Sequence, residues 1–265
     1  MSMKAVAVAN PKGGIAKSAV SVNLGHESIE QANRTLLVDF DKQGSLSLAF
    51  PRTADPAKRY IKTVDLFGTP EGLVGAELEY VTPTVAIIRA EKEDFEALRA
   101  LERAPDDFAK RPARVLRELS DKFDVGVFDT PGVIGVPLLA ALTAADAVVC
   151  PLALGLFETD GLAQLWQIIR QVKSGGFNPK LRMIGMLPSR VNTRDKMAMA
   201  ELESLRKHPQ LGPIILPFML AERVPVARAI NMRKPVWQGA KTASHKAAGQ
   251  EWKHACSHVL TSLEG

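Results

Sequence analysis

Hydrophobic residues along this chain are grouped into short continuous runs, and longer stretches with helical periodicity separate the runs. Runs of six to eight mostly apolar residues are typical of strands that are buried on both faces of a sheet. The runs that we interpret as strands are MKAVAVA (3–9), TLLVDF (35–40), VAIIRA (85–90), FDVGVFD (123–129), AVVCPLA (147–153), LRMIGMLP (181–188) and PIILPF (213–218).

Helical patterns between these runs include DDFAKRPARVLRELSDKF (106–123) and LAQLWQIIRQV (162–172). Strands that alternate with helices predict an α/β fold with a mostly parallel, twisted sheet flanked by helices. The segment 51–83 is the least regular, and we find no internal repeat and no linker. We therefore expect residues 1–265 to form a single domain.

Composition narrows the class of protein. The chain has 265 residues, of which 46% are hydrophobic and 24% charged, as in ordinary globular domains. Its apolar runs are far shorter than the ~20 residues of a membrane-spanning helix, and the N-terminus lacks the apolar core of a signal peptide. The two cysteines, Cys150 and Cys256, form no metal-binding motif. These features predict a protein of the reducing cytoplasm.

Charge is distributed unevenly along the chain. The net charge is +5, but residues 180–265 contain 14 Lys and Arg against six Asp and Glu, so the preceding part is slightly acidic. A basic C-terminal third indicates a polyanionic partner such as nucleic acid. A basic surface that is simply solvated is an equally good interpretation of the charge alone.

The segment NPKGGIAKSA (10–19) resembles a phosphate-binding loop, whose common pattern is G-x-x-x-x-G-K-[ST]. Lys17 and Ser18 fit this pattern, whereas Pro11 and Ala16 occupy the glycine positions. Because an apolar run precedes the segment and a helical pattern follows it, backbone amides would face the phosphates. The predicted amides belong to Gly13, Gly14 and Ile15. Lys17 would then reach the β- and γ-phosphates, and the Ser18 hydroxyl would bind Mg²⁺.

Two further segments place carboxylates at strand ends. LLVDFDKQGS (36–45) contains Asp39 and Asp41, which would share one face if the strand continued, and FDVGVFDTPG (123–132) ends its apolar run at Asp129. Asp129 is in the position where P-loop enzymes hold Mg²⁺. Since ligands of open α/β sheets bind at the carboxyl ends of the strands, the three segments together predict a nucleotide site.

The three segments resemble the motifs of the ParA/MinD group of P-loop ATPases. KGGIAKS is similar to the group's deviant Walker A box, KGGxxK[ST], DFDKQGS to its second box, and VFDTPG to its Walker B strand. The resemblance continues through DAVVCPLALGLFETDGL (146–162) and IILPFMLAERVPVARAINMRKPVW (214–237), where it is closest to ParA. It covers nearly the whole chain and explains Lys12, which the deviant box requires.

The resemblance implies a P-loop fold, ATP and Mg²⁺ as cofactors, and a role for each motif residue. Lys12 would reach across a sandwich homodimer to the partner's nucleotide, and Asp41 would position the attacking water. Asp39 and Asp129 would support the metal with Ser18. The implied nucleotide contacts are Gly13, Gly14, Ile15, Ala16, Lys17, Ser18 and Ala19 in the loop, with Ser189, Arg190 and Pro217 as candidates for the adenine. Outside the motifs, Glu158 and Asp160 are candidates for contact with the nucleotide or the second subunit, and a role in capping the loop is an equally good interpretation.

Two residues of the loop depart from the family pattern. Ala16 replaces a glycine and Ala19 replaces a threonine. If the backbone at Ala16 has a positive φ, its methyl group strains the loop by about 1 kcal/mol. We therefore expect slow ATP hydrolysis, and the alternative is a nucleotide-binding scaffold that hydrolyses ATP weakly or not at all.

ParA-like proteins couple ATP-dependent dimerisation to non-specific binding of duplex DNA, and a ParB-like protein stimulates hydrolysis. The resemblance therefore implies a nucleoid-associated ATPase that positions a plasmid or another cargo. The candidate DNA contacts are Arg223 first, then Arg228, Arg194 and Lys234. Because the chain begins almost at its first strand, we expect no N-terminal helix-turn-helix domain.

Two other members of the group are alternatives. A MinD-like ATPase that positions its cargo at a membrane requires a basic, amphipathic C-terminal helix, whereas EWKHACSHVLTSLEG (251–265) finishes acidic, with Glu264 as its last charged residue. An iron–sulfur reductase requires cysteines that bridge a cluster between subunits, and neither Cys150 nor Cys256 is in a suitable motif. We therefore expect no membrane contact.

Overall fold

A central sheet organises the molecule. The computed structural model describes residues 2–154 and 158–264, and for 158–163 it describes the backbone alone. Within these residues eight strands form one sheet in the order β3-β4-β2-β5-β1-β6-β7-β8, and neighbouring strands are parallel except for β3 and β4. The strands are β1 (Lys4–Val8), β2 (Thr35–Asp39), β3 (Glu79–Thr82), β4 (Val85–Ile88), β5 (Val125–Asp129), β6 (Ala147–Leu152), β7 (Arg182–Val191) and β8 (Leu220–Ala221). The predicted mostly parallel α/β fold is confirmed.

Helices cover both faces of the sheet, as parallel strands require. The α-helices are α1 (Lys17–Glu30), α2 (Ser45–Ala49), α3 (Phe95–Leu101), α4 (Lys110–Leu119), α5 (Val136–Ala144), α6 (Glu158–Ser174), α7 (Lys196–Lys207), α8 (Val224–Asn231) and α9 (Ala243–Thr261). Side chains of α4, α5 and α6 pack with Ala5 and Ala7 of β1, whereas side chains of α1 and α9 pack with Val6 and Val8. Successive side chains of β1 thus point to opposite faces of the sheet and belong to two separate hydrophobic cores.

The interpretation of 213–218 as a strand is wrong. Residues Gly212–Ile214 form a 3₁₀ turn, and only Ile215 makes an isolated bridge, to Met186. The last strand is instead the short β8, Leu220–Ala221. Proline at 213 and 217 explains the difference, because proline lacks the N–H that a strand ladder needs and fixes φ.

The C-terminal helix α9 packs against α1 with its apolar residues. Trp252, Val259, Leu260 and Leu263 are all buried in the core that α1 shares. No helix in the described part of the chain is long and apolar enough to cross a membrane. The apolar residues of the chain's last segment are thus used in packing within the domain.

We predict that His26 makes the fold sensitive to acid. Its ring on α1 stacks on Phe50 with 4.9 Å between centroids, Nε2 has no hydrogen-bond partner among the described residues, and burial lowers the His26 pKa to about 4. An unfolded chain protonates histidine near pH 6.5, so stability is lost as the pH falls from about 6.5 to about 4, by about 3 kcal/mol. Urea unfolding of the wild type and of His26→Phe, which keeps the stacked ring, measures this loss. Parallel pH profiles for the two proteins would contradict the prediction.

Candidate active site

The carboxyl ends of β1, β2 and β5 meet at one edge of the sheet. Val8, the last residue of β1, is in register with Asp129 of β5, which is in turn in register with Asp39 of β2. The loop 10–16 leaves β1 at this edge and enters α1. The three sequence motifs are therefore adjacent in space, because parallel strands bring their carboxyl ends to the same edge.

The loop turns into α1 through two residues with positive φ. Gly14 has φ of +75°, and Ala16, directly before the helix, has φ of +73° and ψ of +19°. Ala16 is thus left-handed, a conformation in which an alanine methyl group costs about 1 kcal/mol or more. Because φ is positive at Ala16, the alanine at this position strains the loop.

Lys17 is enclosed at the centre of the site. Its side chain is buried, and Nζ donates a hydrogen bond of 2.6 Å to the carbonyl of Lys12. Burial lowers the pKa of Lys17, while Asp129 and Asp41 act in the opposite direction. Gly132 lies against the same group, since a Cβ at position 132 would come within 3.2 Å of Lys17 Nζ and 3.1 Å of the Gly13 backbone. The third motif needs its glycine because it touches the loop directly.

Asp129, at the end of β5, has a buried oxygen without a hydrogen-bond partner among the described residues. The carboxylate is fully buried; Oδ1 accepts a hydrogen bond of 2.8 Å from Ser21, but Oδ2 has no partner among the described residues. Burial raises the Asp129 pKa to about 6, against the effect of hydrogen bonds from Ser18 and Ser21. A buried acceptor without a donor is costly, and a cation beside Ser18 would satisfy it. The donor set of Ser18 and Asp129 therefore fits Mg²⁺.

Asp39 and Asp41 have different surroundings. The Asp39 carboxylate accepts hydrogen bonds of 2.7 Å from both the amide and the hydroxyl of Ser47, and one of 3.1 Å from the Asp41 amide. β2 ends at Asp39, so Asp41 lies in the following turn, where it accepts a hydrogen bond from the Gln43 amide at 3.0 Å. Burial raises the pKa of both aspartates. Asp39 holds the turn in place through its hydrogen bonds to Ser47 and the Asp41 amide. Asp41 is the one of the two carboxylates that lines an open cavity.

An open cavity of about 640 Å³ lies over these groups. Its walls come from the loop 13–19, the turn 41–45, residues 131–133, the ends of β7 and β8, α8 and Trp252 of α9. Of the predicted site residues, those that line it are Gly13, Gly14, Ala16, Lys17, Ser18, Ala19, Asp41, Arg190 and Arg223. Ile15 and Ser189 are buried, and Lys12 is half-buried beside the loop.

Arg190 connects the end of β7 to the phosphate loop. Nη1 donates a hydrogen bond of 2.6 Å to the carbonyl of Gly14, and Nη2 pairs with Glu222 Oε1 at 2.9 Å. The neighbouring Ser189 donates its hydroxyl to the Leu187 carbonyl. Pro217, the other candidate for the base, is exposed, and its carbonyl accepts a hydrogen bond from Arg206. Within this predicted set, Arg190 is therefore the residue that faces both the loop and the cavity.

Sequence reasoning missed several residues of the cavity wall. Lys42 and Glu102 form one rim, and the opposite wall combines Glu222 with apolar side chains of Val226, Ile230 and Trp252. Lys42 had a signal, because it lies inside the second motif. The others come from distant parts of the chain and fall in no nucleotide-binding pattern.

The candidate DNA contacts fall into two groups. Arg223 is half-buried and forms an ion pair of 2.6 Å with Glu251. Arg194, Arg228 and Lys234 are exposed, and none of them forms an ion pair with another described residue. Three of the four predicted residues are thus available to an external anion. The side chains of Glu158 and Asp160 lie outside the described residues.

Both cysteines are buried, Cys150 in β6 and Cys256 in α9, and burial raises the pKa of both thiols. Such thiols are unreactive at neutral pH. Among the residues whose side chains are described, no cluster of His, Cys, Asp and Glu has the form of a metal-ion site.

Comparison with known proteins agrees with this architecture. A sequence profile described as AAA domain matches residues 3–183. The protein IncC from Escherichia coli is 29% identical over 99% of this chain and 70% of its own length. The chromosome partitioning protein ParA from Myxococcus xanthus is 32% identical over 80% of this chain and 74% of its own.

Two solved structures have a similar fold. A variant of McdA from Cyanothece in complex with ATP gives a TM-score of 0.80 at 18% identity, covering 98% of this chain and 96% of its own. Cobyrinic acid a,c-diamide synthase from Mycobacterium smegmatis, with ADP and magnesium bound, gives 0.75 at 25% identity, covering 99% and 96%. Together with the AAA-domain match and the ParA relative, the motifs at this sheet edge show that the chain belongs to the ParA-type partition ATPases of the AAA-domain family.

Proposed function

We propose that the chain binds ATP with Mg²⁺ and hydrolyses it slowly, dimerises in the ATP state, binds duplex DNA without sequence preference, and is stimulated by a ParB-like protein. The observation that carries the proposal is that Lys17 and Ser18 line the cavity while both interact with Asp129, a buried carboxylate whose Oδ2 has no hydrogen-bond partner among the described residues. A cation, a hydroxyl and a buried carboxylate at a helix N-terminus are the groups that bind a metal triphosphate.

The phosphate end of the cavity is the loop before α1. Amides of Gly13, Gly14 and Ile15 would bind the phosphates, and Lys17 would exchange its bond to the Lys12 carbonyl for phosphate oxygens. Ser18 and Asp129 would hold Mg²⁺, which when bound neutralises charge on the phosphates. Asp39 would support this arrangement through Ser47 and Asp41, to which its oxygens are bonded.

Asp41 would orient the attacking water. It lines the cavity, and its carboxylate is fixed by the Gln43 amide, so it projects from a defined turn. A carboxylate fixed in this way can accept a proton or a hydrogen bond from water without reorganising. The nucleoside would extend toward Arg190 and Glu222, where Val226 and Ile230 offer an apolar wall to the base.

The same face has the character of a dimer interface. Val133 and Ile134, in the loop after β5, are 42% and 56% exposed, and Val133 lines the same cavity as the loop before α1. A second copy that covers this face would remove these apolar side chains from water, which favours association. Lys12 would then contact the nucleotide of the partner subunit.

ATP turnover with and without Mg²⁺ tests the enzymatic part of the proposal. We expect slow release of inorganic phosphate that requires Mg²⁺ and rises when duplex DNA and a ParB-like protein are added. Equal rates with Mg²⁺ and with excess chelator would contradict the metal site at Ser18 and Asp129.

The charge variants Arg228→Ala and Lys234→Ala test the DNA surface. Because both side chains are exposed and without ion pairs among the described residues, we expect the double variant to weaken ATP-dependent DNA binding about tenfold. The slope of log affinity against log salt should fall by roughly 2, since two phosphate contacts are lost. Fluorescence anisotropy with random-sequence duplexes measures both quantities, and exposed Lys122 at the opposite edge of the sheet provides the control, Lys122→Ala. An unchanged salt slope would place the DNA elsewhere.

A nucleotide-binding scaffold that does not hydrolyse ATP is the second candidate, and the left-handed Ala16 favours it. We predict that Ala16→Gly raises ATP turnover about threefold to tenfold, because glycine adopts this φ without strain. The free energy of unfolding should change by less than about 1 kcal/mol, since relief of strain is offset by the freer unfolded chain. A wild type without turnover and an Ala16→Gly variant with turnover would establish the scaffold for the natural sequence.

A further inference from the structure

Lys42 and Glu102 form an ion pair at the rim of the cavity. Lys42 Nζ lies 2.7 Å from Glu102 Oε1, and each side chain is only 19% exposed. Both residues line the cavity, and Nζ is also 5.5 Å from the centre of the Phe95 ring. The pair is less exposed than the surface ion pairs that contribute little to stability.

Lys42 belongs to the turn that presents Asp41. Within this turn the Gly44 amide donates to the Asp41 carbonyl at 2.8 Å, and the Gln43 amide donates to the Asp41 carboxylate at 3.0 Å. These bonds fix the shape of the turn, and the Lys42 side chain ties the turn to the end of α3 through Glu102. Lys42, the residue next to Asp41, is therefore the side chain that connects this turn to the end of α3.

Glu102 also contacts the loop that follows Asp129. A Cβ at Gly135 would lie 2.7 Å from the Glu102 carbonyl oxygen and 2.9 Å from its Cα, so the end of α3 packs directly on this loop. The same loop contains Gly132, which touches Lys17. Glu102 thus joins the turn of the second motif to the loop of the third.

We propose that Lys42 and Glu102 are positioning residues for ATP hydrolysis, which hold the Asp41 turn against the loop after Asp129. The inference rests on the proposed function, in which Asp41 orients the attacking water. Catalytic geometry is sensitive to displacements of about 1 Å, so loss of the pair lowers the rate of the chemical step. ATP binding changes little, because the loop before α1 supplies the phosphate contacts.

Steady-state turnover of four variants tests this inference. Lys42→Met and Glu102→Gln should each lower kcat about tenfold and change KM less than about twofold. The double variant should be no slower than either single variant, because both remove the same interaction. Lys42→Arg, which keeps the charge, should retain most of the wild-type kcat. Lys58→Met provides the control, since Lys58 and Glu77 form an exposed pair of 3.0 Å away from the cavity.

Three outcomes would overturn the inference while wild-type turnover is present: an unchanged kcat in the single variants, additive losses in the double variant, or a loss in Lys42→Arg as large as in Lys42→Met. A wild-type rate no higher than that of Lys17→Met would overturn the proposed hydrolysis, and this inference with it. The two failures are therefore distinguishable.

Discussion

Lys17→Met is expected to lower ATP turnover by about 10³-fold or more and to weaken ATP binding strongly. Methionine has nearly the same length and fits the buried site, but it removes the cation that faces Asp129 and Asp41. The triphosphate would then approach Asp41 and the buried Asp129 without this compensating charge. A loss of 10³ in rate corresponds to about 4 kcal/mol of transition-state stabilisation, a plausible value for a charged contact in a site shielded from water.

Phosphate release and binding of a fluorescent ATP analogue measure the two effects. Lys122→Met, at the opposite edge of the sheet, provides the control and should behave as wild type. Thermal unfolding of Lys17→Met should show a folded protein, since methionine fills nearly the same buried volume. Turnover within about tenfold of wild type would contradict the assignment of this cavity as the ATP site.

Arg89→Met is expected to destabilise the fold by about 3–5 kcal/mol, because it leaves the buried carboxylate of Glu79 without its partner. Arg89 and Glu79 are 4% and 3% exposed, and two hydrogen bonds of 2.7 Å join them. Arg89 also donates to the carbonyls of Ser47, Phe50 and Pro51. The pair therefore joins the side of the sheet formed by β3 and β4 to α2, whose Ser47 donates two hydrogen bonds to Asp39.

Urea unfolding of Arg89→Met, of Arg89→Met with Glu79→Leu, and of Arg34→Met measures this effect. The double variant should recover much of the loss, because no buried charge is left unpaired. Arg34 pairs with Asp124 on the surface, with both side chains at least 40% exposed, so Arg34→Met should change the free energy of unfolding far less than Arg89→Met. An equally small cost for Arg89→Met would contradict the account of the buried pair.

Local patterns predicted the central strands and the meeting of the loop 10–16 with Asp39 and Asp129 at one edge of the sheet. Buried strands read as apolar runs, and the aspartates that follow them identify the active edge of the sheet. The edges of the sheet were less predictable. β3 was missed because Glu79–Thr82 is not an apolar run, and β8 was misplaced because two prolines interrupt the run 213–218.

Contacts between distant segments could not be predicted. Arg223 lies in the basic C-terminal third of the chain, yet its guanidinium pairs with Glu251 of α9. No sequence pattern singles out Glu102. Its proposed positioning role follows from its ion pair with Lys42 and its packing against Gly135. The sequence predicted strain at Ala16 only if the backbone φ of that residue were positive, and the structure shows that it is left-handed.

DNA binding in defined nucleotide states tests the central claim most directly. Fluorescence anisotropy of a random-sequence duplex would be followed without nucleotide, with ADP, with ATP and with a slowly hydrolysed analogue, for the wild type and for Lys12→Ala. We predict salt-sensitive binding in ATP and its analogue alone, and its loss in Lys12→Ala, because in the proposed dimer Lys12 would complete the partner subunit's site. Equal DNA binding in all four nucleotide states, or none in any, would contradict a partition ATPase that uses ATP to control its hold on DNA.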